Sequence, residues 1–128
     1  VGGDDDGALA LGQYKQYFDK YGYEMHFIVN TKRPLTRTND ELIEIAERIE
    51  SASRLKFTDI YNNTNLSDQT DETTLFSGYD EIKMLSKKMG IVIKKNCGID
   101  KALSNVPTNL KDTVFRMNIC ILRPWEIQ

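Results

Sequence analysis

Hydrophobic and polar positions change period repeatedly along the chain. Leu11, Tyr14, Phe18 and Tyr21 recur at helical spacing, and Gly22 stands where a left-handed C-cap ends a helix. Residues 24–30 (Glu-Met-His-Phe-Ile-Val-Asn) form a short apolar run stopped by a polar Thr-Lys-Arg-Pro segment, which predicts a first strand. Thr38 with Glu41 makes a capping box, after which Leu42, Ala46, Ile49 and Ala52 or Ser53 mark one face of a second helix. Its opposite face carries Glu44, Glu47, Arg48 and Glu50. Residues 55–61 predict a second strand, closed by the turn-forming cluster Asn62-Asn63-Thr64-Asn65. From Glu72, the positions Leu75, Tyr79, Ile82, Leu85 and Met89 trace a third helical face ended by Gly90, and Ile91-Val92-Ile93 predicts a buried strand. A short helix is expected near residues 99–103. Beyond it, Phe115, Met117, Ile119 and Ile121 alternate with Arg116, Asn118 and Cys120, the pattern of a half-exposed strand at a sheet edge.

Strand and helix alternate without an internal repeat or a low-complexity linker. This predicts the α/β class, as a three-layer, Rossmann-like, mostly parallel sheet with helices on both faces. A chain of 128 residues supports one core, so residues 1–128 are expected to form a single domain.

Composition then narrows the function classes. A net charge of −2 and a pI near 5.4 provide no basic field, and nucleic acid is not an expected partner. Cys97 and Cys120 lack metal-ligand spacing and have only His26 to help them, so they read as reduced, packed thiols and no metal site is expected. His26, inside an apolar run, reads as a packed residue with no triad partner in view. No apolar run approaches the ~18 residues of a membrane span and no signal peptide opens the chain, which makes a cytoplasmic location the expectation. Charged helix faces such as Lys83, Lys87 and Lys88 read as solvent surface.

Open α/β sheets bind ligands outside the carboxyl ends of their strands. Polar segments at residues 2–6, 30–37 and 62–65 fall at those ends, with 94–98 as a further candidate. Singly, each has a plainer reading: Asp5 and Asp6 cap a helix, asparagines make turns, and Arg33 and Arg37 sit in solvent. Asp4, Asp5 and Asp6 also lack the alternating spacing of a calcium loop. Recurrence at one end of the expected sheet is what points to a ligand.

The runs Val1-Gly2-Gly3-Asp4, Phe27-Ile28-Val29-Asn30-Thr31-Lys32-Arg33-Pro34-Leu35-Thr36 and Asn62-Asn63-Thr64-Asn65-Leu66 resemble the C-terminal half of bacterial P-loop ATPases. The relevant branch holds the division-site and plasmid-partitioning ATPases and the nitrogenase iron protein, and the likeness is strongest over residues 1–78. It implies that Gly2, Gly3 and Asp4 form the switch that senses a γ-phosphate. It also implies that Asn62 or Asn63 contacts adenine, that Asn30 and Arg33 belong to the nucleotide site, and that backbone 95–98 wraps the base.

One departure limits what the resemblance implies. A phosphate cradle needs Gly-x-x-x-x-Gly-Lys-Ser/Thr, and the chain has no such run. The strand leading into Gly2, with its magnesium-organising aspartate, would precede residue 1. The expectation is therefore the nucleotide-binding half of a longer ATPase, inactive alone and without catalytic residues of its own. Its partner would be the N-terminal half bearing the phosphate loop, and ATP with Mg2+ would be cofactors of the parent. The resemblance also implies a four-stranded sheet in sequence order, with residues 115–122 at the far side and strand 24–30 at an open edge. Phe27, Ile28 and Val29 would face solvent there, inviting self-association. The competing class is a non-enzymatic flavodoxin-like or receiver-like regulatory module binding a protein partner. A receiver needs a strand-end aspartate, where Asn30 and Asn62 stand instead.

Overall fold

Four parallel strands lie side by side in chain order: β1 (His26–Val29), β2 (Asp59–Asn62), β3 (Val92–Gly98) and β4 (Val114–Arg116). This is a computed structural model, and it describes residues 4–120. Helices α1 (Asp5–Gly12) and α2 (Lys15–Tyr21) precede β1, α3 (Asn39–Ser53) joins β1 to β2, and α4 (Tyr79–Met89) joins β2 to β3. The chain is thus an α/β protein with an all-parallel sheet of Rossmann-like build.

Each crossover advances one strand in the same direction. Right-handed crossovers of that kind bring their helices to one face of the sheet. The core lies there: Phe27, Val29 and Ile60 meet Leu42, Ala46 and Ile49 of α3, Ile82 and Leu85 of α4, and Ala8 of α1. A second cluster, Leu75 with Ala102 and Leu103, seals the sheet beside Gly98, where an added Cβ would lie 3.1 Å from Ala102. The opposite face presents His26, Ile28, Tyr61 and Val92, with Ile28 53% and Val92 66% exposed.

Local signals account for the helix ends. The capping box forms as expected, with Thr38 Oγ1 accepting from Glu41 N at 3.2 Å and Glu41 Oε1 accepting from Thr38 N at 3.2 Å. Gly90 ends α4 in the left-handed region at φ 69°. Gly12 lets α1 press against α3, since a Cβ there would meet the Ala52 carbonyl oxygen at 3.2 Å.

Several expectations need correction. The single helix expected over Leu11 to Tyr21 is two helices broken at Gln13 and Tyr14, and Tyr14 and Tyr21 are exposed rather than core-facing. β1 and β2 are shorter than 24–30 and 55–61, since the ladder between them pairs only His26–Val29 with Asp59–Asn62 and leaves 55–58 outside it. α4 starts only at Tyr79, since Asp71 organises turns over residues 72–78 instead. β3 is not buried at Val92 and extends to Gly98, so 95–98 is strand rather than wrapping loop. Residues 100–105 form turns in place of the helix expected near 99–103, and a 3-10 helix follows at Thr108–Thr113. β4 spans Val114–Arg116 at the far edge, and the part of its expected run beyond Cys120 lies outside the described residues. β1 is an edge strand among the described residues, yet only Ile28 of its apolar trio faces solvent, because Phe27 and Val29 point into the core.

Candidate functional site

The carboxyl ends of β1, β2 and β3 converge on a polar rim whose side chains are bonded in a fixed order. Asn62, fully buried at the end of β2, donates from Nδ2 to the Leu75 carbonyl and to Asn96 Oδ1, both at 3.0 Å. Asn96, equally buried on β3, donates in turn to Thr113 Oγ1 at 2.8 Å, and Thr113 donates to the Leu110 carbonyl at 2.6 Å. All these bonds run in one direction, so each polarises the next in a low-dielectric setting. Asn62 Oδ1 accepts from Thr64 N at 3.2 Å, which leaves no atom of this amide free for a ligand.

The β1 end is fastened to the β2 end by a second set of bonds. Asn30 Oδ1 accepts from Lys32 N at 2.9 Å and from Asn65 N at 3.3 Å, while its Nδ2 donates to the Asn65 carbonyl at 3.3 Å. Thr31 N donates to Thr64 Oγ1 at 3.1 Å. Gly78 closes over this pair so tightly that a Cβ would lie 2.3 Å from Thr31 Oγ1.

Between the two sets sits Asn63. Its backbone N–H donates to the Val29 carbonyl at 2.7 Å and its carbonyl accepts from Asn65 Nδ2 at 2.7 Å. Its side-chain Oδ1 is buried and has no hydrogen-bond partner among the described residues. An unpaired buried acceptor costs about 1–3 kcal/mol, and such an oxygen calls for a donor. Comparison with family models, curated proteins and solved structures returns no match, so the reading of this rim rests on its chemistry.

The other residues singled out in the sequence are placed as follows. Gly2 and Gly3 lie outside the described residues. Asp4 caps α1, its Oδ1 accepting from Gly7 N at 2.8 Å, and lines a cleft with Leu35 of the segment following β1. Asn30 and Asn63 are brought together through Asn65, whereas Arg33 is exposed and bonds only through its backbone among the described residues. No group of three or more His, Cys, Asp or Glu side chains among the described residues could hold a metal ion.

Two features escaped the sequence pattern. Asp71 Oδ1 accepts from Thr73 N, Thr73 Oγ1 and Thr74 Oγ1 at 2.9, 2.7 and 3.0 Å, and the Thr73 side-chain bond, first among these, holds its carboxyl down at about 2. The turn so formed delivers the Leu75 carbonyl to Asn62, and the run Asp71-Glu72-Thr73-Thr74 was its only signal. His26 does have an acidic partner: its Nδ1 donates to Asp59 Oδ1 at 2.5 Å while its ring lies 4.5 Å from that of Tyr61. The pairing joins neighbouring strands 33 positions apart, beyond the reach of local spacing. This dyad sits at the start of the strands, on the face opposite the helices.

Proposed function

We propose that this chain is the nucleotide-binding half of a P-loop ATPase, contributing the adenine side of the site but not the phosphate cradle. The observation that carries the reading is the unpaired Asn63 Oδ1 at the strand-end rim: the exocyclic amine of adenine is a donor of the kind this enclosed oxygen lacks, and the half-buried side chain turns outward to meet it. Asn62 acts as the anchor of the rim and Asn63 as the base-contacting residue. Asn30 holds the β1 and β2 ends together. Gly2, Gly3 and Asp4 serve as the phosphate-sensing switch in the parent, and Arg33 stands free to meet the polyphosphate.

ATP and Mg2+ are held by the complementary half carrying the phosphate loop, in a protein of the cytoplasm. No helix of the described residues is long and apolar enough to cross a membrane. The complement adds to the sheet at β1, whose His26 and Ile28 direct their backbone groups away from β2, because Val29 turns its carbonyl to Asn63 N and strand residues alternate. Until it binds, that edge is open to self-pairing.

The test is titration of the chain with adenosine, which presents the base without phosphates, followed through the asparagine side-chain amide resonances. Saturable shifts at Asn63 and Asn65 are expected with adenosine, absent with uridine and lost in Asn63→Ala. Shifts of equal size with both nucleosides, or an undiminished response in Asn63→Ala, would refute the assignment. ATP hydrolysis by the chain alone is expected to be undetectable, for want of a cradle to stabilise the transferring phosphoryl group.

A further inference from the structure

We propose that the groove between α1 and α3 docks a basic amphipathic segment of a partner protein. Two hollows of about 520 and 540 Å3 lie along this helix pair and share Asp5, Glu44 and Arg48. Ile45 and the largely buried Ile49 contribute apolar lining to one hollow and Ala52 to the other, and a leucine stands out at each: Leu9 is 57% exposed and Leu35 71%. Large apolar side chains in a concave, solvent-facing setting mark a contact surface.

The charge of the groove defines what fits it. Asp4, Asp5, Asp6, Glu41, Glu44 and Glu47 line it against the single cation Arg48, although the whole chain carries a net charge of only −2. Arg48 is held by Glu44 at 2.8 Å, while Asp5, Asp6 and Glu47 have no ion-pair partner among the described residues. These carboxylates are strung along the helices, Glu41 and Glu47 being about 9 Å apart along the axis at 1.5 Å per residue. They do not converge on a point, as a metal would require. A line of charge beside an apolar floor matches a helical segment with leucine-like anchors and flanking Lys or Arg, whose stems cover apolar surface while their heads meet the carboxylates. A second copy of this chain fits less well: on its basic helix α4, Lys83 already pairs with Asp80 and Lys88 with Asp40. The groove shares Asp4 with the switch proposed above, but Asp5, Leu9 and Glu47, the residues changed in the experiment, have no part in the nucleotide reading, so the two fail separately.

The experiment uses fluorescence anisotropy and a labelled 18-residue peptide of leucine, alanine and lysine with an apolar helical stripe flanked by lysines. The comparison peptides are a scrambled one of the same composition and one with glutamate for lysine. Saturable binding of the first peptide is expected, at least tenfold tighter than either control. Asp5→Asn combined with Glu47→Lys should weaken it at least tenfold, and Leu9→Ser at least threefold. Asp80→Asn combined with Glu72→Lys, the same charge change at exposed positions elsewhere, should alter it less than twofold, with circular dichroism confirming that each variant folds. Absence of saturable binding, equal binding of the scrambled peptide, or equal loss in the distal double variant would overturn the proposal. Sedimentation of the chain alone gives a further check: self-association abolished both by Lys83→Glu and by the groove variant would make the occupant a second copy and overturn the partner assignment.

Discussion

Asn62 and Asn63 are adjacent and chemically identical, yet the fold gives them opposite roles. Every hydrogen-bonding atom of the Asn62 amide is occupied inside the protein, so Asn62→Ala strands the Leu75 carbonyl, Asn96 Oδ1 and Thr64 N at once. At about 1 kcal/mol per lost bond, urea denaturation should show a loss of about 3 kcal/mol. Asn63→Ala removes a buried oxygen that has no partner among the described residues and should therefore raise stability, by about 1 kcal/mol or more, while abolishing the response to adenosine. Asp71 provides the pH dependence at this scale. Its folded carboxyl lies at about 2 against 3.8, chiefly through the Thr73 side-chain bond, so its contribution is fully present above pH 4 and disappears as pH falls through about 2. Wild type should therefore exceed Asp71→Ala in stability at pH 7, with the gap narrowing between pH 4 and 2 in parallel chemical denaturation series. Glu81 adds to the same acid sensitivity, held below its ordinary value by the Asn39 side-chain amide and backbone N–H.

At the scale of elements, the parts with purely local causes formed where the pattern put them. Helix α3 has a cap, a buried stripe and a charged outer face, all readable within its own sequence, and Thr38→Ala should cost about 1 kcal/mol by breaking the capping box. Elements whose ends depend on distant partners were displaced. β3 continues past Ile93 because β2 pairs with Lys95 and Asn96 and β4 with residues 96–98, and an irregularity between Ile60 and Tyr61 accommodates Lys94 as the extra residue. The turn over 72–78 ends in a glycine whose backbone lies against Thr31. Gly78 has an ordinary φ of −111°, so its requirement is close approach rather than a left-handed conformation. Gly78→Ala is expected to lose about 2 kcal/mol by thermal or urea unfolding through overpacking. Gly90, in contrast, is needed for its dihedral, with nothing within 4 Å of an added Cβ.

For the whole molecule, the decisive property is that the strands follow one another in one direction. Helices α1, α3 and α4 are thereby gathered over one face, and the other, with exposed Ile28 and Val92 around the His26–Asp59 pair, is left uncovered among the described residues. Parallel sheets occur with both faces covered, so a chain arranged in this way is expected to associate or to be marginally stable. Sedimentation velocity should show concentration-dependent self-association, reduced in Ile28→Lys, which places a charge on both the open edge and the open face. A monomer at high concentration that unfolds cooperatively would refute this.

By itself the sequence determined the class, the order of the elements, the capped helix α3 and the gathering of asparagines at one end of the sheet, because these follow from periods and caps within about fifteen residues. Only the tertiary structure decided that Asn62 is consumed and Asn63 is not, that His26 meets Asp59 across two strands, that Phe27 and Val29 are core while Ile28 is surface, and that acids of α1 and α3 line one groove. The physical reason is that burial and pairing belong to neighbours in space. Strand register and helix packing bring those neighbours from 30 or more positions away, as with Asn62 and Asn96 at a separation of 34, where no local pattern reaches.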